Sequence, residues 1–383
     1  MPRSPGFAPA ALEIPGAIFS RLAHRIAERG ADVFPLHVGD TWMEPFEGGR
    51  MEALRVEEHP GMHRYGDTQG HPRLVDALVQ KLHERNRLPV ERSGVLVTAG
   101  ATGGLGAAIG MLAAPGEEVL VTAPFWPLIR GIVQAFRAAP VEVPIYDRAE
   151  TPAEAVRALE ARTGPRTVAL YLSTPSNPTA RVLGGDVLEA IAAFARRHEL
   201  WILSDEVYED YVYAGEHVSI GRFAPERTLS VFSFSKAYGM AGNRCGYLAG
   251  PPDAIAQARK LSTHTCYHAP TASQLAAWRA LEGGADWIAR ARTLYREAGD
   301  DAAAVLGLPR PAGSCFLFLD VASRLGDGGL DAFLEGCLDD GIVLAPGGSC
   351  GRDYATWVRL CFTAAEPARV AQAVRLLAKR VGR

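Results

Sequence analysis

The 383-residue chain has no excess of charge of either sign: 40 lysines and arginines face 43 aspartates and glutamates, a formal net charge of −3. Without a basic field, nothing in the composition draws in DNA, RNA or an anionic bilayer, so no nucleic-acid partner is expected. Apolar runs of the roughly 18–20 residues that cross a membrane are missing as well. The stretch Met1–Phe19 carries Arg3 but is broken by Pro2, Pro5, Pro9 and Pro15, and it lacks the continuous apolar segment of a secretory signal. A cytoplasmic protein with no membrane partner is the expectation. Cysteine is sparse: six residues, all from Cys245 onward, with no Cys-x-x-Cys pair. A chain of this length buries a core without disulfide staples, which fits a reducing compartment. Disorder is excluded by 48% apolar and only 22% charged residues.

At roughly 150 residues per domain, the length argues for two domains, or for a large domain with a satellite. Residues 1–16 read as a proline-rich extended arm. From Ala17 the spacing of Ile18, Leu22 and Ile26 predicts a helix with one apolar face, and Gly30 is its expected stop. Short apolar runs then alternate with helical patterns. The strand-like runs are Val95–Thr98, Val119–Thr122, Val168–Leu172, Leu200–Leu203, Thr228–Phe232 and Cys245–Leu248. Between two of them, Val187–His198 sets Leu188, Ile191, Ala192 and Ala195 on one side. The alternation predicts an α/β domain over residues 48–285, built on a largely parallel sheet covered by helices. Further on, helical segments Trp287–Leu306, Leu330–Asp339 and Pro367–Arg380 enclose two strand candidates, Cys315–Val321 and Thr356–Phe362. Residues 286–383, joined by 17–47, are expected to form a smaller α+β domain.

Chemistry-bearing residues follow the predicted strands, where open α/β sheets bind their ligands. They are Ala99-Gly100-Ala101-Thr102 after the first, Phe125-Trp126 after the second, and Ser173 to Thr179 with Asn177 after the third. Asp205-Glu206-Val207-Tyr208 and Ser233-Phe234-Ser235-Lys236 follow the next two, with Arg244 beyond. Together these are a backbone amide nest, an aromatic ring, an amide, a carboxylate, a phenol, an amine and a guanidinium. A pyridine aldehyde phosphate calls for all of them. An amine condenses with the aldehyde, a carboxylate keeps the ring nitrogen protonated, and a nest with an arginine takes the phosphate.

Five segments in one order, YGDTQGHPRLVDAL, PSNPTA, SDEVYEDYVY, SFSKAYGMAGNRCGY and VRLCF, resemble the class I/II aminotransferases, the aspartate-aminotransferase-like fold-type-I pyridoxal-phosphate enzymes. The resemblance implies a large α/β domain with a mostly parallel seven-stranded sheet and a smaller α+β domain. It implies that Lys236 forms the internal aldimine and shuttles a proton, that Asp205 pairs with the pyridine nitrogen, and that Tyr208 and Asn177 bond the cofactor's phenolic oxygen. Trp126 would stack on the ring, and Ala101, Thr102, Ser233 and Arg244 would hold the phosphate of pyridoxal 5′-phosphate. Arg359, with Gly39 opposite, would clamp the α-carboxylate of an amino acid or 2-oxo acid. Tyr65 would reach the phosphate of the neighbouring subunit, which makes the expected protein a homodimer. The activity implied is ping-pong transfer of an amino group. Lyases, cyclising synthases and amine-oxidising enzymes share the same parts.

Several features depart from the family or compete with it. Ala180 stands where relatives often carry glycine, and the segment GDTWMEP differs from the commoner pattern, so that Trp42 could enter the substrate pocket. No second basic residue stands out for a distal carboxylate. His264 and Tyr267 fall near the expected side-chain pocket, which favours an apolar, aromatic or neutral polar substrate side chain. Gly104-x-Gly106-x-x-x-Gly110 approximates a dinucleotide-binding turn, but its glycines run deep into the helix and no Tyr-x-x-x-Lys pair accompanies it. His264-Thr265-Cys266-Tyr267-His268 is a poor zinc site, with no glutamate in place and Pro270 close behind. Neither a serine hydrolase nor a cofactor-sensing regulator with a DNA-binding module is expected.

Overall fold

Apolar, β-branched runs make the centre of the molecule. The computed structural model describes residues 6–16, 22–30 and 32–382. Seven strands, β1 (Val95–Thr98), β2 (Glu118–Ala123), β3 (Ala139–Pro144), β4 (Thr167–Ser173), β5 (Trp201–Asp205), β6 (Thr228–Ser233) and β7 (Gly246–Ala249), form one sheet in the order β1-β7-β6-β5-β4-β2-β3. The contacts among β2 to β6 are parallel, and β7 lies antiparallel to β1 and β6. Leu170, Leu172 and Ile202 face Leu188 and Ile191 of helix Gly185–Arg197. Tyr171, Leu203 and Val231 face the other way, toward Leu105 and Ile109 of helix Gly100–Leu112 and Ile255 of helix Pro252–Thr265. Strands buried on both faces carry few polar residues, which is why most of them read as near-continuous apolar runs, interrupted only by small side chains such as Ser204 and Ser230.

β3 has no such run. Its Pro140 and Pro144 argue against a strand, and it sits at the sheet edge, where a missing N–H is tolerated. The smaller sheet pairs β8 (Phe316–Asp320), β9 (Ala345–Pro346) and β10 (Trp357–Cys361) antiparallel in the order β8-β10-β9. Its core joins Leu317, Leu319 and Leu360 to Val374 and Leu377 of helix Pro367–Val381, and to Leu36 from the N-terminal part of the chain.

The N-terminal arm is not wholly extended: Pro9–Glu13 is a short helix with proline at its start, where no hydrogen bond is lost. The next helix spans Ala23–Arg29 and stops at Gly30, whose φ is +55°; Ala17 and Ile18 lie outside the described residues. Among those residues, no helix is long and apolar enough to cross a membrane.

The glycines of helix Gly100–Leu112 have a packing reason. A Cβ on Gly110 would stand 2.5 Å from the Phe136 ring, and one on Gly104 would stand 3.2 Å from Leu248 Cγ. Gly246, at the start of β7, is tighter against backbone: its Cβ would meet Ala101 N and Phe232 O, both at 2.7 Å. Gly246→Ala should therefore cost about 1–3 kcal/mol, measured as a lower urea midpoint at unchanged slope.

Candidate active site

The carboxyl ends of β1, β4, β5 and β6 open on one cavity of about 190 Å³, which also receives Arg359 from β10 and Gly39 from the N-terminal segment. Ala101, Thr102, Trp126, Asn177, Asp205, Tyr208, Ser233, Lys236 and Arg244 line it with them. Leu105, Val207, Ser235 and Ala241 complete the wall; Val207 and Ser235 stand in the segments singled out from the sequence but were given no role there, and Leu105 and Ala241 were not foreseen. Tyr65 is elsewhere: it is 85% exposed, with its ring 4.9 Å from that of Tyr267.

Three cations and one carboxylate line this cavity. Arg359 is 5% exposed. Its Nη1 donates to Asn177 Oδ1 at 2.9 Å, its Nη2 donates to the His37 carbonyl at 2.8 Å, and its face lies 4.6 Å from the centre of the Phe316 ring. Its Nε is buried without a hydrogen-bond partner. Among the described residues, no carboxylate lies within 4.0 Å of Arg359, Arg244 or Lys236. A buried cation held only by neutral acceptors is costly until an anion joins it.

Arg244 closes the opposite end. It takes a left-handed conformation (φ +52°) and its Nη1 donates to the Ala241 carbonyl at 2.9 Å. The guanidinium lies against Gly100, where a Cβ would come within 2.3 Å of Nη2. Gly100 itself has φ +70° and starts the thirteen-residue helix Gly100–Leu112. The first N–H groups of that helix have no intrahelical acceptor and carry its positive end. Ser233 Oγ accepts from Ser235 N at 3.1 Å beside them. Glycine thus leaves open a concavity of N–H groups, hydroxyls and guanidinium whose size and charge suit a phosphate.

Asp205 ends β5 and is 4% exposed. Burial pushes its carboxyl up to about 6, and neighbouring Glu206 adds to the rise; hydrogen bonds from Tyr171 and from the Val207 N–H oppose it. Tyr208 is buried edge-on to Phe316, and desolvation holds its phenol well above the ordinary range. Lys236 Nζ donates to the Gly39 carbonyl. The turn that carries Lys236 is fixed from below by Tyr211, whose hydroxyl donates to the carbonyls of Lys236 (2.9 Å) and Ala237 (2.8 Å). Nothing in the spacing singled out Tyr211, because a buried tyrosine bonded to backbone reads as ordinary core.

The family model for aminotransferase class I and II matches residues 31–377. The chain belongs to that family. It is 32% identical over 371 residues, 94% of each chain, to an aspartate/prephenate aminotransferase of Thermus thermophilus. It is also 32% identical to an arginine–pyruvate transaminase of Pseudomonas aeruginosa, covering 90% of this chain and 89% of that one. The aspartate aminotransferase of Thermus thermophilus solved with maleate superposes with a TM-score of 0.89 at 29% identity, over 98% of this chain and all of the other.

Against this aminotransferase frame the departures find physical accounts. Ala180 takes φ +61°, so the turn after Asn177-Pro178-Thr179 keeps the left-handed shape that glycine adopts freely. Trp42 stays out of the cavity wall; its backbone N–H donates to the Thr363 carbonyl at 2.8 Å and its side chain packs on the cluster of Met43, Tyr208 and Tyr295. His264 is tied to the Lys260 carbonyl (2.8 Å), and His268 Nε2 accepts from Gly66 N (3.1 Å). No trio of metal-ligating side chains occurs among the described residues. Gly347-Gly348-Ser349-Cys350-Gly351 does match the Gly-x-Ser-x-Gly spacing of a hydrolase, a pattern that sequence reasoning passed over. It lies in a 3₁₀ turn after β9, and Ser349 Oγ is committed to the Pro346 carbonyl at 2.6 Å.

The raised carboxyl has a consequence for stability. Between about pH 4 and 6 the folded cofactor-free protein binds a proton at Asp205 that the unfolded chain has released, so this group lowers stability as pH rises through that window. Asp205→Asn, whose single amide oxygen still accepts from the Val207 N–H while its amide nitrogen donates to the Tyr171 hydroxyl oxygen, should stabilise the cofactor-free protein at pH 8 by on the order of 2 kcal/mol. The gain should vanish near pH 4 when the two proteins are compared by urea unfolding.

Proposed function

We propose that the cavity holds pyridoxal 5′-phosphate and that the protein transfers an amino group from an L-amino acid to a 2-oxo acid in two half-reactions at one site. The observation that carries this reading is the charge count of three unpaired cations around one buried carboxylate. A phosphate dianion and a substrate carboxylate supply the missing anions, and a protonated pyridine supplies the cation that Asp205 lacks. When bound, the cofactor contributes an aldehyde that condenses with amines and a ring that accepts the electron pair left at the substrate's Cα.

The rest is work for this chain. The N–H groups of Ala101 and Thr102, the Thr102 and Ser233 hydroxyls and Arg244 bind the phosphate. Trp126 covers one ring face. Asp205 keeps the ring nitrogen protonated, while Tyr208 and Asn177 bond the ring's phenolic oxygen. Lys236 Nζ would hold the cofactor covalently and, as a free amine, would be the base that takes the proton from the substrate's Cα and gives it back. Arg359, its Nε still unspent, grips the α-carboxylate in the two-pronged geometry that lysine cannot reproduce. It would thereby fix the orientation of the substrate's Cα bonds. Gly39 offers its backbone on the opposite side.

The site is completed in a homodimer, with Tyr65 donating to the phosphate of the neighbouring subunit. Its ring and that of Tyr267 together present an exposed aromatic pair suited to an interface. With Arg244 and Arg359 both assigned to anions, the cavity wall has no further guanidinium for a distal carboxylate. An amino donor with an apolar, aromatic or neutral polar side chain follows. The relatives named above, at one level of identity, carry names that specify different donors, so overall similarity does not choose among them.

The test is a single turnover of cofactor-loaded protein with each amino acid, without an oxo-acid acceptor. Conversion of the cofactor to its amine form with one oxo acid per site, and then arrest, is the expected result. Continued product with release of ammonia would instead make the protein a lyase or oxidase on this scaffold. Arg359→Lys should raise KM for the reactive amino acid by roughly 10- to 100-fold, and an unchanged KM would place the carboxylate elsewhere.

A further inference from the structure

Asp205 does not stand alone behind the ring position. Tyr171, on the adjacent strand β4, pairs with Leu203 two residues before Asp205, so its side chain shares the face of the sheet on which the carboxylate lies. Its hydroxyl donates to Asp205 Oδ2 at 2.7 Å, and the residue is fully buried. The other oxygen, Oδ1, carries only the long Val207 N–H contact at 3.4 Å. Burial drives the Tyr171 phenol well above its ordinary range, which keeps the proton on the phenol and fixes the direction of the hydrogen bond. The strand is braced at the same place. Thr122 Oγ1 donates to the Tyr171 carbonyl at 3.1 Å, and the Tyr146 hydroxyl donates to the Ser173 carbonyl at 2.7 Å while accepting from Ser173 N.

We propose that Tyr171 is a positioning residue for the amino-transfer site, spending its hydroxyl on Asp205 Oδ2 so that the carboxylate is held ionised with Oδ1 free for the cofactor's ring nitrogen. The proposal rests on the pyridoxal-phosphate reading and adds to it a residue that lines no part of the cavity. Its logic is one of competing terms. Burial and Glu206 favour the neutral acid, which could not keep a pyridine protonated; Glu206 is itself bonded to His217 at 2.8 Å and to Ser219. Among the groups around Asp205, which also include the Tyr146 and Tyr208 phenols, Tyr171 is the side chain that donates to it and so favours the charged form.

The decisive comparison is Tyr171→Phe against Tyr146→Phe, two losses of one buried hydroxyl, of which only the first touches Asp205. Carboxyl ¹³C resonances of aspartate-labelled, cofactor-free full chain, assigned through Asp205→Asn, report the proton affinity directly. Tyr171→Phe should raise that affinity about tenfold, a shift of about one pH unit, while Tyr146→Phe leaves it in place. In protein loaded with ring-¹⁵N pyridoxal 5′-phosphate, the nitrogen should lose its proton at lower pH in Tyr171→Phe than in wild type. kcat should fall more than KM rises. Fluorinated tyrosine at position 171, a more acidic donor, should move the Asp205 midpoint downward, which supplies the same test if the phenylalanine variant fails to fold. An Asp205 midpoint and ring nitrogen unchanged by these substitutions, with cofactor bound, would overturn the role of Tyr171 and leave the cofactor reading standing. Wild-type protein that takes up no cofactor would overturn both.

Discussion

Arg359 is a buried guanidinium that, among the described residues, meets no carboxylate, and three parts of the chain hold it in place. Its two terminal nitrogens are held by Asn177, in the loop after β4, and by the carbonyl of His37, in the N-terminal segment, while the residue itself sits on β10 of the smaller sheet. One side chain thus ties the large sheet, the small sheet and the N-terminal segment at a single point. Neutral acceptors and an aromatic face make its charge tolerable without cancelling it, and Nε is left buried without a hydrogen-bond partner.

The same economy governs the rest of the cavity. Arg244 reaches the start of helix Gly100–Leu112 only because Gly100 has no side chain, and Asp205 is buried at the cost of a raised carboxyl. Each of these groups is less comfortable alone than with a partner of opposite charge. A ligand carrying a phosphate, a ring cation and a carboxylate near its amine would relieve all of them together, and binding of this kind stabilises the folded state by mass action. Structural cost in the free protein and selectivity for the ligand are here the same property.

Much of this was legible in the chain. The parallel strands showed themselves as apolar runs because both of their faces are covered, and their ends drew attention to Asn177, Asp205, Tyr208, Ser233 and Lys236, which share the cavity. What stayed hidden had physical reasons. β3 carries two prolines at an edge, and β9 is two residues long, too short for any period. Tyr171 and Tyr211 act through hydroxyls deep in the core, where sequence cannot tell a bonded phenol from a space-filling one. Trp42 looked like an intruder by its place in GDTWMEP, yet its side chain packs on the cluster of Met43 and Tyr295. Leu105 and Val207 line the cavity as plain apolar residues, whose share in selecting a substrate side chain has no signature in sequence.

Lys236 is the residue on which the chemical account stands, and the chain makes it easy to interrogate because it contains only four lysines. Lys81 is occupied by Glu209 in a buried ion pair, and Lys260 and Lys379 are exposed on helices. Protein loaded with pyridoxal 5′-phosphate, reduced with borohydride and mapped by peptide mass, should carry a single pyridoxyl group, on the peptide containing Lys236. A label spread over Lys260 and Lys379, or none at all, would contradict the assignment of this cavity.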